Sequence, residues 1–133
     1  MQLNTAAPLP PSQVSARNDM ERLQGAWISI SGRREVELLI AGHNFAVKFK
    51  NGPLYMGTFR VDPSQGPKTM EMLVTAGPER HQWKTALCIY ELDGAGDRLR
   101  WCPGEPGRKD RLEEFPPEDH LAYYCTLFRR ERS

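Results

Sequence analysis

The residues that could do chemistry are few and far apart. Histidines stand at 43, 81 and 120, and a histidine titrates close enough to neutrality to move a proton or hold a metal. All three fall in turns or loops, where a solvated ring is the expectation. His120 follows Glu118-Asp119, whose carboxylates would favour its charged form, but no nucleophile or second ligand is spaced beside it. There is no His-Glu-x-x-His, no Gly-x-Ser-x-Gly and no phosphate-cradling glycine loop. An enzyme would have to assemble its site from distant strands, so the chain is expected not to be one. Cys88, Cys102 and Cys125 are an odd number without Cys-x-x-Cys spacing, which argues against zinc. Reduced, buried thiols are the expectation, with a disulfide between two of them as the competitor, because all three fall on segments that read as neighbouring strands. No metal and no cofactor is predicted.

Composition narrows the partners. The formal net charge of the 133-residue chain is +1, so no global field recruits nucleic acid or an anionic membrane. No apolar run approaches the ~18–20 residues that a spanning helix needs. Met1 to Arg17 lacks the basic and apolar regions of a secretion signal, and the expected location is the cytoplasm, unless a leader has been removed. With Pro8, Pro10 and Pro11 and no apolar period, residues 1–17 read as a flexible tail ahead of a single domain over 18–133. Asn18 or Asp19 is placed to cap a short helical turn that runs to Leu23 and ends at Gly25.

From Ala26 onward the pattern is that of strands. Val36, Leu38 and Ile40 share a face, and Phe45, Val47 and Phe49 alternate with Ala46, Lys48 and Lys50 before the hairpin signal Asn51-Gly52. Further strands read as Leu54 to Val61, a run through Met70, Met72 and Val74, Trp83 to Leu92, Arg98 to Cys102, and Leu121 to Phe128. Eight strands joined mostly by short loops must be antiparallel neighbours. Each has one apolar face to bury, and closure also removes the edges. The prediction is an all-β, eight-stranded, antiparallel up-and-down barrel with a short N-terminal helical turn, and a β-sandwich is the alternative.

Several fragments are more specific than generic strand chemistry. They are Leu23-Gln24-Gly25-Ala26-Trp27, Gly57-Thr58-Phe59-Arg60-Val61-Asp62-Pro63, Pro67-Lys68-Thr69-Met70-Glu71-Met72, Ile89-Tyr90-Glu91-Leu92-Asp93-Gly94, and Arg111-Leu112-Glu113-Glu114-Phe115 ahead of a last strand ending in Arg129-Arg130-Glu131. In this order the chain, over roughly residues 20–131, resembles the lipocalin-like domain family of unknown function abundant in planctomycete bacteria. It departs from the family pattern at Leu112, where a proline is usual, and at Ala95-Gly96, which split an Asp-Gly-Asp turn. The resemblance implies a lipocalin-like barrel and no particular activity. By analogy with the Gly-x-Trp start of lipocalins, it also implies a barrel floor of Gly25 and Trp27 with Arg129 or Arg130 stacked on the indole. That contact would be worth roughly 0.5–2 kcal/mol.

Two uses of such a barrel follow. The interior could hold a small apolar or amphipathic ligand on Phe45, Phe49, Met56, Met70, Met72 and Tyr90, in a cavity of at least about 300 Å³ opening opposite Trp27. The wider inward-facing set adds Trp27, Val36, Leu38, Val47, Val74, Leu99, Trp101 and Tyr123, and these side chains are bulky enough to fill the space instead. The other use is a protein-docking surface on the 103–120 loop, through Arg108, Lys109, Arg111 and Phe115, over a packed interior. The mixed charge of that loop suits a protein better than nucleic acid.

Overall fold

The computed structural model describes residues 11–117 and 125–131. Helix α1 (Pro11–Leu23) leads into β1 (Gly25–Gly32), β2 (Val36–Ala41), β3 (Asn44–Phe49), β4 (Leu54–Asp62), β5 (Lys68–Ala76), β6 (Thr85–Leu92), β7 (Arg98–Cys102) and β8 (Thr126–Arg130). Each strand pairs antiparallel with the next, and β8 returns to β1, so the sheet closes into an eight-stranded barrel in chain order. The all-β barrel is therefore the fold, and the sandwich is set aside. No described helix is long and apolar enough to cross a membrane.

Alternation decides which side chains fill the barrel. In β2, Val36, Leu38 and Ile40 are buried and their neighbours exposed. Phe45 and Val47 of β3, Met70, Met72 and Val74 of β5, and Leu99 and Trp101 of β7 continue the inner face. Strand β4 departs from the sequence reading, because Met56 points outward and is 45% exposed. Tyr55, Gly57, Phe59 and Val61 share the inward phase, and Gly57 carries no side chain to announce it. A Cβ at Gly57 would lie 1.8 Å from the Leu73 carbonyl oxygen, so close approach of β5 demands glycine there. The register also shifts between Met56 and Gly57.

Further corrections concern the N-terminal segment and the cysteines. Of the tail expected over residues 1–17, residues 11–17 belong to α1, where Pro11 takes a first-turn position that tolerates a missing N–H, and residues 1–10 lie outside the described residues. Asp19 is no cap; it lies inside α1, is buried, and accepts hydrogen bonds from the Tyr90 hydroxyl (2.6 Å) and Lys68 Nζ (3.0 Å). A helix this polar is held by docking rather than by its own periodicity, with Leu23 fully buried in the core. The last strand starts at Thr126, and the predicted strand residues 121–124, Tyr123 included, lie outside the described residues. Cys102 and Cys125 form a disulfide, and Cys88 alone is a free, buried thiol. Antiparallel pairing of Trp101 with Thr126 puts the next positions on each strand, 102 and 125, face to face.

The floor is built by one arginine. The Arg130 guanidinium lies 4.2 Å from the centroid of the Trp27 ring. It donates to the carbonyls of Gln24 (2.6 Å), Gly96 (3.1 Å) and Arg22. Trp27 Nε1 donates to the Leu23 carbonyl at 2.9 Å, which ties the helix end to the floor. Gly25, at φ +115°, makes the sharp turn between α1 and β1. Arg129, the other candidate, is exposed on the outer face.

Candidate functional site

At the end of the barrel away from Trp27, a cavity of about 1010 Å³ reaches inward from the rim. Its apolar wall comes from alternate residues of facing strands: Phe45, Val47 and Phe49 of β3, Met72 and Val74 of β5, and Trp101 of β7. Of the lining predicted from sequence, Phe45, Phe49 and Met72 are in this wall. Met70 and Tyr90 are buried in the core without reaching it, Tyr90 being directed at Asp19, and Met56 is outside the barrel.

The rim is polar and organised around a histidine. Pro78 opens a single 3₁₀ turn, Glu79–His81, that folds His81 over the mouth, where it is only 7% exposed. The expected solvated ring is therefore corrected, since that turn buries it; His43 is exposed as expected, and His120 lies outside the described residues. His81 Nδ1 is 2.8 Å from the Tyr55 hydroxyl, and the two rings stack with centroids 5.7 Å apart. Phe49 meets Tyr55 edge-on at 6.0 Å and carries the Arg34 guanidinium 4.5 Å above its own ring. Burial raises the Tyr55 pKa, opposed by the charges of Arg80 and Arg34 and reinforced by Glu105. Glu105 Oε1 stands 3.6 Å from His81 Nε2.

Three buried side-chain polar atoms have no hydrogen-bond partner among the described residues: His81 Nε2, Trp101 Nε1 and Arg111 Nε. All three residues line this one cavity. Cys88 is buried in the barrel core, and burial pushes its thiol up to about 12, opposed by the Gly104 backbone N–H, the Arg111 charge and the Trp101 indole, which is directed at the sulfur. Tyr55, His81 and Trp101 were not singled out as binding residues in the sequence. The one available signal was the parity of Tyr55 with Phe59 on β4, which is broken visually by Gly57.

The described part of the long loop, residues 103–117, is pinned rather than free. Its first residues run alongside β6, with Gly104 N–H donating to the Leu87 carbonyl (3.1 Å) and Gly107 N–H to the Thr85 carbonyl (3.0 Å). Arg108 pairs with Asp110 at 3.1 Å, Arg111 Nη2 lies 3.9 Å from Glu71, and Phe115 sits under Arg100 at 5.2 Å. Lys109 is exposed beside a second, outer groove of about 610 Å³ over β4–β6. Among the described residues no group of three or more His, Cys, Asp or Glu is placed to hold a metal. No family model matches this chain, and comparison with curated proteins and with solved structures gives no significant match.

Proposed function

We propose that this chain is a non-enzymatic binding protein of lipocalin-like type, which holds a small amphipathic ligand in the mouth of its barrel. The observation that carries the reading is the cavity of about 1010 Å³, apolar within and polar at the rim. Ligand sites are concave, mostly apolar and provided with a few placed polar groups, with volumes of about 300–1,000 Å³. The floor supports the reading by a division of labour. Trp27, Arg130 and α1 hold one end shut, so the other end can be open without loss of closure. The ordered motifs that resemble the planctomycete lipocalin-like family fit the same barrel, and membership in it is part of this proposal.

Docking of a protein on the 103–120 loop has less in its favour, because the charges of Arg108 and Arg111 and the ring of Phe115 are engaged within the chain. A Cys102–Cys125 disulfide persists where the redox poise is oxidising, so the proposed site of action is such a compartment. The cytoplasmic expectation holds only with that pair reduced.

The test is titration with N-phenyl-1-naphthylamine, a neutral probe that fluoresces in apolar surroundings. Saturable one-to-one binding is expected, abolished by Ala86→Trp or by Val74→Phe in variants that still unfold cooperatively. Absence of saturable binding to the parent protein would overturn the proposal.

A further inference from the structure

The unpartnered polar atoms share a property that sharpens the ligand. Trp101 Nε1 and Arg111 Nε can only donate hydrogen bonds. His81 joins them for an electrostatic reason. An unprotonated Nε2 would aim its lone pair at the Glu105 carboxylate 3.6 Å away, whereas an Nε2–H faces it favourably. The proton therefore sits on Nε2, Nδ1 accepts from the Tyr55 hydroxyl, and Nε2–H becomes a third donor. At 3.6 Å the Glu105 oxygen is too far to satisfy it. Buried polar groups are nearly always paired, and the Cys88 sulfur facing the Trp101 indole is only a weak acceptor, so three donors without an oxygen or nitrogen acceptor on one cavity mark what its occupant must bring.

Resting on the ligand-binding reading above, we propose that the occupant is an amphiphile headed by a carboxylate, whose oxygens accept from His81, Trp101 and Arg111 while its chain lies on Phe45, Val47 and Met72. A carboxylate offers only acceptors, and it takes charge-assisted bonds that are stronger than neutral ones. Rim electrostatics agree. Arg80 and Arg34 both act on Tyr55 beside His81. Of the acids on the cavity, Asp110 is held by Arg108, Glu113 is exposed, and Glu105, which faces His81, is 60% exposed and has solvent to turn into when a ligand carboxylate takes its place.

The test displaces bound N-phenyl-1-naphthylamine with three ligands of equal chain length: dodecanoate, methyl dodecanoate and dodecylammonium. Dodecanoate should displace the probe at a concentration at least about tenfold below that of dodecylammonium, with the ester between them. Trp101→Phe keeps a ring and removes the indole donor, and it should narrow the gap severalfold while probe binding persists. Equal displacement by all three, or preference for the ammonium, would overturn the carboxylate head and leave the binding reading standing. A parent protein that binds no probe would overturn both. The ligand series on the parent protein needs no variant to fold, so the head-group result stands without Trp101→Phe.

Discussion

Arg130→Ala should loosen the closed end of the barrel by about 3 kcal/mol. The arginine donates to three backbone carbonyls, those of Gln24, Gly96 and Arg22. Each such bond contributes about 0.5–1.5 kcal/mol net, and the low end applies where water can replace the donor at a half-buried site. The guanidinium on Trp27, at 4.2 Å from the ring centroid, adds about 0.5–2 kcal/mol. Trp27 is completely buried beneath it, so truncation also opens the indole face to water. Arg130→Lys keeps a cation over the ring but cannot fork to three carbonyls, and about half the loss should return. Equilibrium urea unfolding followed by tryptophan fluorescence reads these differences, and about 3 kcal/mol corresponds to a midpoint lower by roughly 10 °C in a thermal scan. The control is Arg129→Ala, one residue earlier and exposed on the outer face, which should stay within about 0.5 kcal/mol of the parent. If the two alanine variants are equally stable, the floor does not rest on Arg130 and the reasoning fails.

Gly57→Ala should destabilise by more than about 2 kcal/mol, because its Cβ would meet the Leu73 carbonyl oxygen at 1.8 Å; a urea midpoint equal to the parent's would refute that contact. Thiol titration should find no reactive cysteine in the native protein at pH 8, one after unfolding without reductant, and all three of the chain after unfolding with reductant. A fast-reacting thiol in the native state would contradict either the burial of Cys88 or the disulfide. Stability should fall as the pH rises beyond about 9, since Cys88, Tyr55 and Tyr90 all have raised pKa values, chiefly from burial. The unfolded chain releases these protons first, so it binds fewer than the native state and the slope of stability with pH is negative. A urea midpoint unchanged between pH 7 and pH 10.5 would count against those buried groups.

How much of this was legible depended on whether the signal was local. Strand alternation in Val36-Glu37-Leu38-Leu39-Ile40 and in the Phe45–Phe49 run, short connections and the Asn51-Gly52 turn were enough to predict a closed antiparallel barrel, because the period of a half-buried strand is written in neighbouring residues. On β4 the apolar Met56 lies on the outer face and the glycine that marks the inward phase has no side chain, so the local pattern points to the wrong side. The length of helix α1 is not written locally, because Val14, Ala16, Met20 and Leu23 are scattered among polar residues, and what holds Asp19 in place comes from β5 and β6, far along the chain.

The sequence by itself determined the class of fold and the inner faces of most strands, and the resemblance to lipocalins implied a tryptophan-centred floor. Only the tertiary structure decided which arginine covers Trp27, which two cysteines pair, and that the interior keeps an open cavity instead of filling. Those outcomes depend on register and on distance across the barrel: one step in pairing separates Arg129 from Arg130 and puts Cys102 opposite Cys125. The rim is the clearest case. Tyr55, His81 and Trp101 come from three separate segments, and nothing in their spacing shows that the same cavity collects them.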